Sequence, residues 1–231
     1  MKYKNLTIIG TSHIARQSLE EVKNTIKQDK PDIIAVELDR QRYYGLLHQK
    51  EAKIRLYDIT RVGFKGWLFG LIGAWAEKKL GQATGISPGS EMKTALLLAK
   101  ENNIKVALID QNIEITLKKL SKSISWKERW HFLADLFNAF VLRKKEVDFD
   151  LTKVPSSKII NMLLKKVKAR YPNIYRILID ERNQIMANNL HNIMEENPEK
   201  KILAVLGAGH EEEILDILKK PRITYKVTLG S

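Results

Sequence analysis

The stretch that decides the fold is Ile202-Leu203-Ala204-Val205-Leu206-Gly207-Ala208-Gly209-His210. A short, unbroken apolar run halts at a glycine, as expected of a parallel strand covered on both faces. The glycine permits a tight exit from the strand. His210 then falls at the beginning of a helix, whose apolar stripe is Ile214, Leu215, Ile217 and Leu218. Near the other end of the chain the same order recurs in Ile8-Ile9-Gly10-Thr11-Ser12-His13. Both stretches read as strand, then G-x-x-H, then helix. The echo predicts that His13 and His210 lie at strand C-terminal ends, the edge where open α/β sheets bind ligands.

Working outward, the pattern repeats. Ala15, Leu19, Val22 and Ile26 recur at helical spacing, and Asp32 leads into the run Ile33-Ile34-Ala35-Val36, which stops at Glu37. Ser90-Glu91 opens a helix through Lys100, followed by Val106-Ala107-Leu108-Ile109 ending at Asp110. Ile223, Tyr225 and Val227 alternate as in an edge strand. The fold class is therefore α/β: a mixed, largely parallel sheet flanked by helices, with two related halves and a mainly helical insertion in the middle. One domain over 1–231 is expected, with 46–87 and 118–172 as helical, aromatic and basic insertions or a lid.

Composition narrows the function classes. Hydrophobic residues make up 44% and charged residues 29% of 231, a globular balance rather than a disordered one. The absence of cysteine excludes disulfides, zinc ribbons and thiol catalysis. No apolar run reaches the ~18 residues of a membrane span, and Met1-Lys2-Tyr3-Lys4 leads straight into a strand without a signal-peptide core. The chain carries +13, and residues 118 to 170 hold fourteen Lys/Arg against five Asp/Glu, so +9 of it sits there. Such a block attracts phosphate of nucleic acid or of anionic lipid, or it is a solvated helical face. Residues 66–76, wholly apolar with Trp67 and Trp75 and flanked by Lys65, Lys78 and Lys79, suit an interfacial helix, a packed cap or a lid. Trp126 to Arg143 offers a broad apolar face between basic ends and admits the same readings. No recognised nucleic-acid module is present, and no specific nucleic acid is expected.

Few residues can carry chemistry. Of the five histidines, His48, His131 and His191 lack a matched context and stay unassigned, whereas His13 and His210 are candidate metal ligands. Glu37 ends a buried-type strand, where a carboxylate needs a cation, a metal or donors; Arg40 and Arg42 are the simple ion-pair partners. Glu91 stands at a helix start, where the dipole favours it, and Asp110 suits a cap before Ile113. On a helix starting near Ile174, a 100° step puts Glu181 at about 340°, in the middle of the apolar arc, and Arg182 at its margin near 80°. A centred acid should be paired or functional. Gly207-Ala208-Gly209 lacks the third glycine of a dinucleotide loop, because position 212 is Glu. Walker A, H-E-x-x-H and G-x-S-x-G patterns are absent.

These motifs together resemble the TraB family, which groups enterococcal pheromone-shutdown proteins with archaeal and eukaryotic relatives. The wider set includes the Wnt-inactivating TIKI proteases and the erythromycin-esterase and ChaN-like folds. The matching residues are Gly10-Thr11-Ser12-His13, Pro31 through Asp39, Pro88-Gly89-Ser90-Glu91-Met92, and Ile109-Asp110 leading to Ile115-Thr116-Leu117. Glu181-Arg182-Asn183 and Gly207-Ala208-Gly209-His210 complete the set. The resemblance implies a polar site with His13, His210 and Glu37 as metal ligands, and Glu37 or Glu91 as general base. Glu181 and Arg182 would orient or polarise the substrate. It favours Mn or Co, with Zn or Fe also suited to such ligands. The chain departs from the family at Asp110-Gln111-Asn112, commonly Asp-Arg-Asp, and at Glu181-Arg182-Asn183, often Glu-Arg-Asp. Many members continue into C-terminal hydrophobic segments, so the resemblance implies the soluble domain of a membrane-associated protein. The expected function is a metal-dependent peptidase or related hydrolase acting on peptides. The alternative is a non-enzymatic, membrane-associated regulator that binds and restricts a peptide signal. Expected partners are a peptide, an anionic membrane surface through 64–79 and 118–170, and a second copy of the chain in a homo-oligomer.

Overall fold

Strand β5 (Ile202–Gly207) lies inside the sheet, with parallel β2 (Leu6–Thr11) on one side and β3 (Ile33–Val36) on the other. A computed structural model provides this arrangement and describes residues 1–11, 16–48, 60–63, 67, 70–71, 87, 89–141 and 156–221. Strand β4 (Lys105–Leu108) pairs parallel to β3, and β1 (Lys2–Tyr3) pairs antiparallel to β2, giving a five-stranded sheet in the order β1-β2-β5-β3-β4. The sheet is mixed and mostly parallel, as the apolar runs predicted. The antiparallel edge strand is β1, formed by the Lys-Tyr pair that sequence reading left outside any element. The alternating stretch at 223–227 lies outside the described residues.

Why the strands read as continuous apolar runs is visible in their two faces. Leu6, Ile8, Ile33, Ala35, Ile202, Ala204 and Leu206 pack on one side, and Ile9, Ile34, Val36, Leu203 and Val205 pack on the other. With a side-chain period of two, a strand buried on both faces leaves no polar position. The second face is covered by α1 (Arg16–Asp29) through Val22 and Ile26, and by α3 (Ser90–Glu101) through Met92, Ala95, Leu96 and Ala99. The first face is covered by α8 (Glu181–Glu196) through Met186, Ala187 and Leu190, and by α9 (Glu211–Lys219) through Ile214, Leu215 and Leu218.

This distribution has a consequence at the edge of the sheet. The helices after β2 and after β3 cover one face, and the helix after β5, the strand between them, goes to the other. The crevice opened between their C-terminal ends is a topological switch point, the place where open α/β sheets hold ligands. Register brings the ends together, with Thr11 opposite Gly207 and Val36 opposite Val205. Hydrogen bonding runs on past the strands, from Glu37 N to Val205 O at 3.2 Å and from Asp110 N to Leu38 O at 3.4 Å.

Between β4 and β5 the described chain is helical: α4 (Ile113–Ser123), α5 (Trp126–Val141), α6 (Ser157–Arg170) and α7 (Pro172–Tyr175). A π-helical turn, Arg176–Asp180, then leads into α8. The helical insertion is thus present. The described part of α5 is tied to the junction of α6 and α7, where Asp135 accepts from Arg170 Nε at 2.6 Å and also takes the Tyr171 hydroxyl. Trp126 and Trp130 stand 72% and 67% exposed. The stretch 66–76 falls, apart from residues 67, 70 and 71, outside the described residues. Among those described, no helix is long and apolar enough to cross a membrane.

Candidate functional site

At the switch point the elements deliver an acid from each of two strand ends. Glu37 follows β3, and its Oε2 accepts the backbone N–H of Gly207 at 2.6 Å, so the carboxylate of one strand is held by the end of the next. A Cβ on Gly207 would stand 3.2 Å from that oxygen. The glycine therefore serves close approach. It does not have a left-handed conformation, since the positive-φ glycines among the described residues are Gly63 and Gly89. The exit is tight all the same, with His210 N donating to Gly207 O at 2.9 Å. Asp110 follows β4 with its side chain fully buried. It is not the cap expected before Ile113: Asn112 caps α4 by accepting from Glu114 N at 2.8 Å.

The cation that joins these acids is Arg182. Its Nη2 donates to Asp110 Oδ2 at 2.6 Å and to Glu37 Oε1, and its Nε lies 3.2 Å from both Asp110 oxygens. Burial acts to lower the pKa of this guanidinium, but the Glu37 and Asp110 carboxylates outweigh it and hold the group charged. Arg42, proposed from sequence as a partner of Glu37, instead bridges Asp39 and Asp110. Asp39 meanwhile caps α2 (Arg40–Leu47) by accepting from Gln41 N at 2.7 Å and Arg42 N at 3.1 Å. Among the described residues, Arg42 and Arg182 thus tie together Glu37, Asp39 and Asp110.

His210 completes the cluster from the other side. Its Nε2 lies 3.5 Å from Glu37 Oε1 and 3.4 Å from Arg182 Nη1. Its Nδ1 lies 2.6 Å from Asn183 Oδ1, and Asn183 Nδ2 donates to Glu213 Oε2 at 2.8 Å. A carboxylate only accepts, so Glu213 turns the amide oxygen of Asn183 toward the ring. Nδ1 then carries a proton, and Nε2 is the ring atom that faces Glu37 and Arg182. Asn183 was noted in sequence only as a lost charge; here it is the residue that orients the histidine.

Of the sequence candidates, Glu37, Arg182 and His210 come together. Glu91 is buried to 1% exposure in the first turn of α3, at the positive end of that helix; the ion pairs joining Glu37, Arg182 and Asp110 are made without it. Glu181 is not centred on a buried stripe. It pairs with Lys119 Nζ at 2.6 Å and Arg176 Nη1 at 3.7 Å, with 27% of its side chain exposed. The reason is the π-helical turn just before it, which acts as one inserted residue and moves everything after it back by about 100°. Arg182 thereby takes the inward position, near 340°, that an unbroken α-helix would have given Glu181. His13 lies outside the described residues, and among those described no three His, Asp or Glu form a metal-holding group.

Sheet, switch point and cluster define an α/β protein with a buried carboxylate–guanidinium–imidazole centre at its strand ends. The chain belongs to the TraB/PrgY/gumN family, which it matches over residues 2–226. It is 36% identical over 219 residues to an uncharacterised protein of Methanocaldococcus jannaschii, covering 94% of this chain and 54% of that protein. It is 20% identical over 187 residues to the TraB domain-containing proteins of Mus musculus and Homo sapiens, covering 76% of this chain and 49% of each. The chain thus spans about half the length of the curated relatives it matches.

Proposed function

We propose that the chain is a metal-dependent hydrolase domain acting on peptides. The observation that carries this reading is the convergence of His210 Nε2 and Glu37 Oε1, 3.5 Å apart, at the switch point of the sheet. The donors fit a divalent transition ion in kind, one imidazole nitrogen and one carboxylate oxygen. His210 and Glu37 would hold the ion, with His13 as third ligand on the strength of the G-x-x-H echo. When bound, such an ion polarises a scissile carbonyl and lowers the pKa of a bound water.

The remaining roles belong to the chain's own residues. Asn183 keeps the imidazole in one tautomer. Gly207 N–H and Arg182 hold the Glu37 carboxylate in place, and Glu91 or Glu37 would take a water proton. Arg182, itself anchored on Asp110, offers a guanidinium beside that carboxylate for an oxyanion or a substrate carbonyl.

The test is divalent-metal content and affinity of the purified protein beside His13→Ala and His210→Ala, with peptide cleavage assayed in manganese and cobalt. About one ion per chain, lost in both variants together with cleavage, is the expected result. Equal metal retention in the variants would sink the reading, and a peptide that is bound but released uncut would point to a sequestering regulator.

A further inference from the structure

Helix α5 begins with two tryptophans that the fold leaves outside. Trp126 and Trp130 are one helical turn apart, 72% and 67% exposed, so both indoles share one face. Lys127 is exposed between them, and the Arg129 guanidinium lies 4.6 Å over the Trp126 ring. On the adjoining α4, Lys118 and Lys122 are exposed as well. The nearby acids do not offset this charge. Glu128 turns inward at 1% exposure to cap helix ends, and Asp135 is held by Arg170.

We propose that this face is a docking surface for an anionic lipid bilayer, with Trp126 and Trp130 seated at headgroup depth and the α4–α5 lysines on the phosphates. Exposed indoles interleaved with lysines match the interface, where an amphipathic ring finds both an apolar and a wet side. Charge complementarity selects the occupant. A two-fold contact with a second copy would set the same positive face against itself, which is repulsive. On α6, Lys158, Lys165, Lys166 and Lys168 are exposed as well and add to the positive charge of this helical region. The surface is independent of the Arg182 cluster and stands whether or not that cluster hydrolyses anything.

The experiment is co-sedimentation of the full chain with vesicles of phosphatidylcholine alone or mixed with phosphatidylglycerol, across a salt series, with a duplex RNA as competitor. Binding is expected only to the anionic vesicles, weakening as salt rises. Trp126→Ser with Trp130→Ser should lose about tenfold or more in affinity, and Lys118→Gln, Lys122→Gln and Lys127→Gln together about a hundredfold, with circular dichroism and Tm unchanged. Retained binding in the double tryptophan variant, equal binding to neutral vesicles, or displacement of vesicles by RNA would each overturn the proposal. So would a wild-type dimer in analytical ultracentrifugation that the tryptophan substitutions dissociate.

Discussion

Arg182 answers two buried carboxylates with one guanidinium, and its planar fork suits the task where an ammonium would not. Replacing it by alanine strands Glu37 and Asp110 together, and urea denaturation should register a loss of about 3–5 kcal/mol. Arg182→Lys should recover only part of that, because a point charge cannot bridge both acids. Asn183 matters through orientation. Nitrogen-15 NMR of the His210 ring should find the Nδ1–H tautomer in the wild type and a mixture in Asn183→Ala; an unchanged spectrum would remove the amide from its assigned role. Gly207→Ala tests the close approach. The added methyl group crowds Glu37 Oε2, so under the proposed function metal affinity, read by calorimetry, should fall more than Tm does.

Among elements, α5 shows how a local motif is used twice. Ser125 and Glu128 form a capping box: Ser125 N donates to Glu128 Oε2 at 2.9 Å and Glu128 N donates to Ser125 Oγ at 3.2 Å. The same carboxylate accepts Asn173 N at 2.7 Å and Ile174 N at 3.4 Å, so it also caps the helix opened by Pro172. Burial raises the Glu128 pKa, but the hydrogen bonds from Asn173 and Ser125 outweigh it and hold the carboxyl below its usual value. A native pKa below the unfolded one gives stability that is whole above the unfolded value, about 4.3. That stability is lost as pH falls through the lower native value. Acid titration followed by near-ultraviolet dichroism should therefore loosen the α5–α7 junction below about pH 4. Glu128→Gln should flatten that part of the profile, and Glu128→Ala should cost roughly 2–4 kcal/mol. The S-x-x-E signature was present in the sequence. The second helix it caps, 45 residues away, was not legible there.

Over the whole molecule, the sheet with α1, α3, α8 and α9 holds the two large cores, and α4 packs a smaller one, Leu120 and Ile124 against Ile177. Hydrogen exchange should be slowest in β5, whose residues 202–206 are all buried to 1% exposure or less, and in β3 beside it. The first turns of α5 should exchange through smaller openings. Uniform protection across both would mean that the insertion unfolds only with the sheet. The α/β class, the parallel strands and the candidacy of Glu37, Arg182 and His210 were determined by the sequence itself, because strands buried on both faces admit only apolar runs between polar ends. The partner of each charge was decided by the tertiary structure alone. Glu37 meets Arg182, 145 residues away, because β5 enters between β2 and β3. The inward turn of Arg182 rather than Glu181 depends on a π-helical step at Arg176–Asp180, where Ile177 packs against Leu120 and Ile124, and that step leaves no mark in the spacing of apolar residues.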